Sequence, residues 1–344
     1  MFVKDLRQVL STVRAAVTTE RLMTRSRRPP GSRIWMPSPP PAYCMPAVLS
    51  AGARRGIIVA GLARGNTMGE GDSGYQFGTG IGEAELDRLE AQGAAIAPAT
   101  RMIFAEAGIR PGMRVLDIGC GAGDVTFVAA DLVGPDGSVV GVDHSPDALA
   151  RARLRAQRRG LAQVQFIEGD IHNPAPGGPF DAIVERLVLM WVPDPAAVLR
   201  EQATVLRPGG LVVPVEADMS PMRFLPEIPL GTQIKSWLVE AFAKSGIAFL
   251  GPRLWAIAEE AGLRPLGMIG VQPHFGPGDE VGLAFLVESM RVAEPLIVGT
   301  GVATAEEIGM ETFEQRLKDE GERTQPLVGA PFMLLSAWAT TGPA

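Results

Sequence analysis

The run Val115-Leu116-Asp117-Ile118-Gly119-Cys120-Gly121-Ala122-Gly123-Asp124 sets three alternating glycines between two carboxylates. Glycines at this spacing permit a tight turn and let a ligand approach the backbone. The dinucleotide pattern GxGxxG would need glycine at 124, where this chain has Asp124. Asp117, two residues before the first glycine, suits a cationic ligand group better than a pyrophosphate. Asp143 lies 26 residues after Asp117 and can accept both hydroxyls of a ribose. Asp170, in Glu168-Gly169-Asp170-Ile171, can accept from an adenine amino group while Ile171 packs against the ring.

Other residues offer acid–base chemistry. Glu185 follows the apolar run Phe180–Val184, and Glu216 and Asp218 follow Leu211–Val215. His274 stands in Gln272-Pro273-His274-Phe275. Glu185, Glu216 and His274 are the candidates for a base or an acceptor contact. His144, His172 and His274 lack metal-ligand spacing with the scattered carboxylates, so no metal site is expected. Neither a GxSxG nucleophile turn nor a P-loop is present.

These residues need a frame. Apolar spacing predicts a helix over 83–107, which Pro98 could break into two. An alternation follows: strands at 114–118, 137–142, 164–168, 180–184 and 211–215, and helices at 124–132, 146–159 and 196–206, the last stopped by Arg207-Pro208-Gly209-Gly210. Such alternation predicts a mostly parallel sheet covered on both faces, with ligands at the strands' carboxyl ends. Further on, helical patterns span 231–261, 280–297 and 305–320, and strands are expected at 266–271 and 332–337. The helices between these strands suit a lid.

Read together, the turn and its carboxylates describe a pocket for a nucleoside with a positively charged tail, which S-adenosylmethionine fits. With VLDIGCGAGD (115–124), VVGVD (139–143), EGDI (168–171), FDAIVERLVLMWVPDP (180–195) and LRPGG (206–210) in order, the chain resembles the class I S-adenosylmethionine-dependent methyltransferases. The resemblance covers roughly residues 75–344, and Tyr75–Gly78 resembles the N-terminal lid of bacterial small-molecule members. It implies an α/β, Rossmann-like fold: a mostly parallel seven-stranded sheet, helices on both faces and helical lid insertions. It also implies that Gly119, Gly121 and Gly123 turn around the methionine moiety and that Asp117 organises that turn and the ligand's amino group. Asp143 would hold the ribose, His144 would flank the adenine, and Asp170 with Ile171 would read its edge. The Arg186 backbone carbonyl would meet the ligand's ammonium, with Leu187 nearby. Trp191 stands where related proteins often have His, a departure that bears on substrate choice.

The implied reaction is an in-line displacement, so the protein's main task is alignment in a site with little water. The expected acceptor is a small hydrophobic or aromatic metabolite. Rival readings are an RNA or protein methyltransferase, a non-catalytic S-adenosylmethionine-binding protein and, more remotely, a nicotinamide oxidoreductase. Of the 344 residues 46% are hydrophobic and 20% charged, which excludes a wholly disordered chain. The formal net charge is -6, which argues against a nucleic-acid partner. Charge is uneven: residues 1–70 hold 11 Lys or Arg and 3 Asp or Glu.

Four segments follow: a basic, proline-rich extension at 1–70 expected to be disordered, an N-terminal helical lid at 75–108, a cofactor-binding core at 109–218, and a C-terminal part at 219–344 with helical caps. The abrupt change in composition suggests that the functional chain begins at Met68. Cys44 and Cys120 are the only cysteines, so no disulfide framework is expected. The apolar run at 47–63 is too short and interrupted to span a bilayer, and the expected setting is cytoplasmic. The helical insertions could form either a homodimer interface or a monomer's lid.

Overall fold

The computed structural model describes residues 83–342, apart from 174, 246–248, 277 and 325–327. The expectations for residues 1–70, Met68, Cys44 and Tyr75–Gly78 lie outside the described residues.

Glu83–Ala107 is one helix, α1, running through Pro98 rather than breaking there. An internal proline costs about 3 kcal/mol. Ile96, Ile103 and Phe104 on either side are wholly buried. Burial of three such side chains contributes roughly 5–9 kcal/mol, which outweighs the proline.

The main sheet is built from β1 (Arg114–Ile118), β2 (Ser138–Asp143), β3 (Val164–Glu168), β4 (Phe180–Arg186), β5 (Leu206–Asp218), β7 (Arg264–Val271) and β9 (Met333–Thr340). Its spatial order is β3-β2-β1-β4-β5-β9-β7. Pairing is parallel from β3 through β5, and β9 runs antiparallel between β5 and β7. Three helices connect the parallel strands: α2 (Asp124–Val133), α3 (Pro146–Arg159) and α4 (Pro195–Ala203). The α3 boundaries are locally encoded. Ser145 caps the start by accepting from Ala148 N, Pro146 occupies the first turn, and Gly160 closes the end in a left-handed conformation.

Two strands are longer than sequence patterning suggests. β4 reaches Arg186 and β5 reaches Asp218, so Glu185, Glu216 and Asp218 lie within strands instead of after them. The helix before β5 ends at Ala203, and Leu206–Gly210 already belongs to β5. Pro208, lacking an N–H, and Gly209 at φ +73° bulge out of the ladder. Pairing therefore advances from Phe180↔Leu206 to Ala182↔Leu211, two steps on β4 against five on β5.

The remaining elements are β6 (Arg223–Leu225), α5 (Pro229–Ser245), α6 (Leu254–Glu260), α7 (Glu280–Gly299), α8 (Ala305–Ile308), α9 (Met310–Arg323) and β8 (Val328–Ala330). β6 and β8 pair in a separate two-stranded sheet, each too short to leave a periodic signal. One hydrophobic core joins α1, α2, α5 and α7 to a sheet face through Val115, Val184, Val215 and Ala217. A second joins α4 and α6 to the opposite face through Leu116, Ile183, Val212 and Ala337.

Candidate functional site

β1 sits between β2 and β4, so the order of strands reverses there, and a crevice opens beyond their carboxyl ends. The glycine-rich turn occupies that crevice. Gly119, Gly121 and Gly123 have φ of +66°, +52° and +91°, values that side-chain-bearing residues rarely adopt. A Cβ at Gly121 would meet nothing within 4 Å, so the turn is open to a ligand there. Asp143 fixes this geometry. Its Oδ2 accepts from Gly121 N at 2.8 Å and its Oδ1 from Ser145 N at 2.9 Å. Each oxygen keeps a further lone pair. His144 is exposed beside it, with Nδ1 3.6 Å from Asp143 Oδ1. Asp170 is exposed past the end of β3 and accepts from His172 N at 2.9 Å. Gln202 of α4 holds that loop by donating to the carbonyls of Ile171 and Asn173, both at 2.7 Å.

Asp117 lies beneath the turn, 1% exposed. Its Oδ2 accepts from Thr126 Oγ1 at 2.5 Å, while its buried Oδ1 has no hydrogen-bond partner among the described residues. Burial pushes the carboxyl up to about 7, against the Thr126 hydrogen bond and the nearby Arg186. Asp117 pairs in register with Val184, so Arg186 stands two residues further along β4 on the same sheet face. Its Nη1 donates to Thr100 Oγ1 of α1 at 2.8 Å, and Thr100 donates to Ile96 O at 3.1 Å. Burial lowers the guanidinium's pKa, while Asp124, Asp117 and Glu185 push it back up. The family resemblance implies a role for the Arg186 carbonyl alone, whereas the structure also engages its side chain. A lone arginine ending an apolar strand was the signal for its side chain. Leu187, next in the chain, holds φ +59°, a strained setting for a non-glycine residue of roughly 1–2 kcal/mol.

The structure brings Glu185 and Glu216 together, both buried, on the sheet face turned away from α1. Glu185 accepts from Val215 N at 3.0 Å and Val188 N at 3.1 Å, and Glu216 accepts from Met190 N at 3.2 Å. Together they brace the turn that carries the one-turn 3-10 helix Leu189–Trp191. Burial raises Glu185 well above the ordinary carboxylate range, with the charge of Glu216 adding to it, and burial lifts Glu216 to about 8. His274 stands apart. It is exposed past the end of edge strand β7, two strands beyond β5, with Nδ1 3.0 Å from Gln272 O. Asp218 accepts from both the N–H and the hydroxyl of Ser220.

Helix α1 is fastened over the turn. Arg155 of α3 donates to Ala122 O at 2.7 Å and to Asp124 Oδ1 at 2.8 Å, and lies 3.4 Å from Glu90 of α1. Leu86, Ala122 and Ala148 form a small buried cluster between α1, the turn and α3. Past the end of β5, a partly open cavity of about 30 Å³ is lined by residues including Met219, Met222, Phe285, Met290 and Phe332. No lining residue is charged, and its one hydroxyl, on Ser289, donates to Phe285 O at 2.6 Å.

A family model described as a methyltransferase domain matches residues 109–245. The chain is 36% identical over 206 residues to nocamycin O-methyltransferase of Saccharothrix syringae, covering 58% of this chain and 68% of that protein. It is 38% identical over 111 residues to a demethylmenaquinone methyltransferase of Geobacillus sp., covering 32% of this chain and 47% of that protein. The chain thus spans about two thirds of the first relative's length and about half of the second's. A solved geranyl diphosphate methyltransferase in complex with SAM is 20% identical, with 75% of this chain and 88% of that chain covered and a TM-score of 0.45.

Proposed function

Because the chain belongs to the class I S-adenosylmethionine-dependent methyltransferases, we propose that it transfers a methyl group to a small, largely apolar organic metabolite. The observation that carries this reading is the buried, unpartnered Oδ1 of Asp117 beside a turn left open at Gly121. An acceptor buried without a donor costs roughly 1–3 kcal/mol, which a ligand ammonium would recover. The remaining lone pairs of Asp143 suit ribose hydroxyls. The site residues therefore fit S-adenosylmethionine. When bound, that group supplies a methyl carbon already activated by the sulfonium.

The chain's own residues orient and exclude water. Asp117 and the glycine turn hold the amino-acid end, Asp143 the ribose, and Asp170 with Ile171 the adenine. α1 closes over the turn through Arg155 and Leu86. For the acceptor, the uncharged side chains past β5, Met219, Met222, Phe285 and Phe332 among them, favour an apolar molecule; the space of about 30 Å³ between them is itself too small to hold one. The two relatives are named for nocamycin and demethylmenaquinone, in line with an organic acceptor. Glu185 and Glu216 face away from α1 and the cavity, so we assign them to holding the 187–191 turn instead of to proton abstraction.

Calorimetric titration of the whole chain with S-adenosylmethionine, and with NADH in parallel, tests the reading. Binding of the former alone is expected, followed by methyl transfer in a screen of apolar acceptors. Asp143→Ala should weaken cofactor affinity by roughly 1–3 kcal/mol, the scale of a charge-assisted hydrogen bond. Undiminished affinity in a folded variant would remove the ribose assignment.

A further inference from the structure

We propose that the Arg186 side chain binds the α-carboxylate of the cofactor's methionine tail and, through Thr100, ties helix α1 to the loaded site. This rests on the reading of the site given above and adds a residue and a coupling to it.

The methionine tail is a zwitterion, and the site offers both halves of its complement in adjacent places. Asp117 on β1 presents a free, buried oxygen, and Arg186 on β4 sits two residues further toward the mouth of the crevice on the same face. Residues Ile183–Glu185 are buried, but Arg186 keeps part of its surface open. A guanidinium carries five N–H donors in a planar fork that matches a carboxylate. The contact to Thr100 engages Nη1 alone. Charge balance points the same way. The charges of Asp124, Asp117 and Glu185 each favour the charged guanidinium. Once Asp117 turns its charge to an ammonium, Arg186 loses part of its counter-charge, and a carboxylate beside that ammonium restores it.

The Thr100 contact extends the effect. Thr100 is fully buried in α1 and joined to Ile96 O, so the position of the guanidinium and that of the helix are linked. Cofactor that fixes Arg186 therefore also fixes α1, which covers the same turn from the other side through Arg155.

The test pairs two probes, S-adenosylmethionine and its decarboxylated analogue, which keeps the amine and sulfonium but lacks the carboxylate. Calorimetry on the wild-type chain should show the decarboxylated form binding at least about 10-fold more weakly. In Arg186→Met the two probes should bind alike, with S-adenosylmethionine weakened by that same factor. Arg186→Lys, which keeps the charge without the fork, should fall between and serves if the Met variant does not fold. Thr100→Val should keep the preference between probes but lose the ligand-induced slowing of hydrogen exchange in 96–107. Equal binding of both probes by the wild type overturns the proposal while leaving the methyltransferase reading in place, as does a preference that survives in Arg186→Met. Binding of neither probe overturns both.

Discussion

Three buried carboxyls give this site its pH behaviour. Unfolded, Asp117 and Glu216 lose their protons near 3.8 and 4.5; folded, they hold them to about 7 and about 8. Glu185 shifts the same way. The folded state then binds more protons through that window, so stability is full below it and falls as pH rises toward about 8. Glu216→Gln should flatten this fall. Its amide oxygen can still accept from Met190 N. Glu185→Gln should also flatten the fall but lose roughly 1–3 kcal/mol at about pH 5, because two backbone N–H groups, of Val188 and Val215, need its two oxygens. Thermal midpoints measured at about pH 5 and about pH 8 separate these outcomes. Parallel curves for wild type and Glu216→Gln would place the titrating group elsewhere. Both glutamates were legible as carboxylates near strand ends. Their pairing was not, because it depends on β4 and β5 being neighbours with both side chains on one face.

Helix α1 carries the same lesson at the level of elements. Its limits are readable from apolar spacing, but its seat over the turn rests on contacts distant in sequence. Gly93 is one of them. A Cβ there would collide with the Asp124 side chain, which Arg155 holds in place. Glycine to alanine inside a helix usually adds about 1 kcal/mol of stability. Here Gly93→Ala should destabilise by roughly 1–3 kcal/mol through overpacking and lift α1 from the turn. Faster hydrogen exchange in 86–97 together with a lowered thermal midpoint would show it. A midpoint above wild type would mean that α1 rides clear of the Asp124 side chain. Ser145 and Gly160, by contrast, mark the ends of α3 locally, and the sequence-predicted boundaries agree with the observed ones because a cap is made within one turn.

For the whole molecule, the C-terminal strand β9 decides whether β7 joins the sheet. It joins β5 to β7, and Leu334 at its start is fully buried in the larger core beside Phe285 and Phe332. Leu334→Ala should cost about 2–5 kcal/mol in chemical denaturation, with one cooperative transition retained. A loss under about 1 kcal/mol would mean this end of the sheet is loosely packed. The alternation of strands and helices, the glycine turn above Asp117 and beside Asp143, and the family resemblance were all readable from the chain, because strand period, tight turns and caps are local properties of a few neighbouring residues. The insertion of β9 between β5 and β7, the meeting of Arg186 with Thr100, and the pairing of Glu185 with Glu216 were decided only by tertiary structure. Each depends on strand order and on which sheet face a side chain takes, and these are set by burial summed over the whole core, not by any local run of residues.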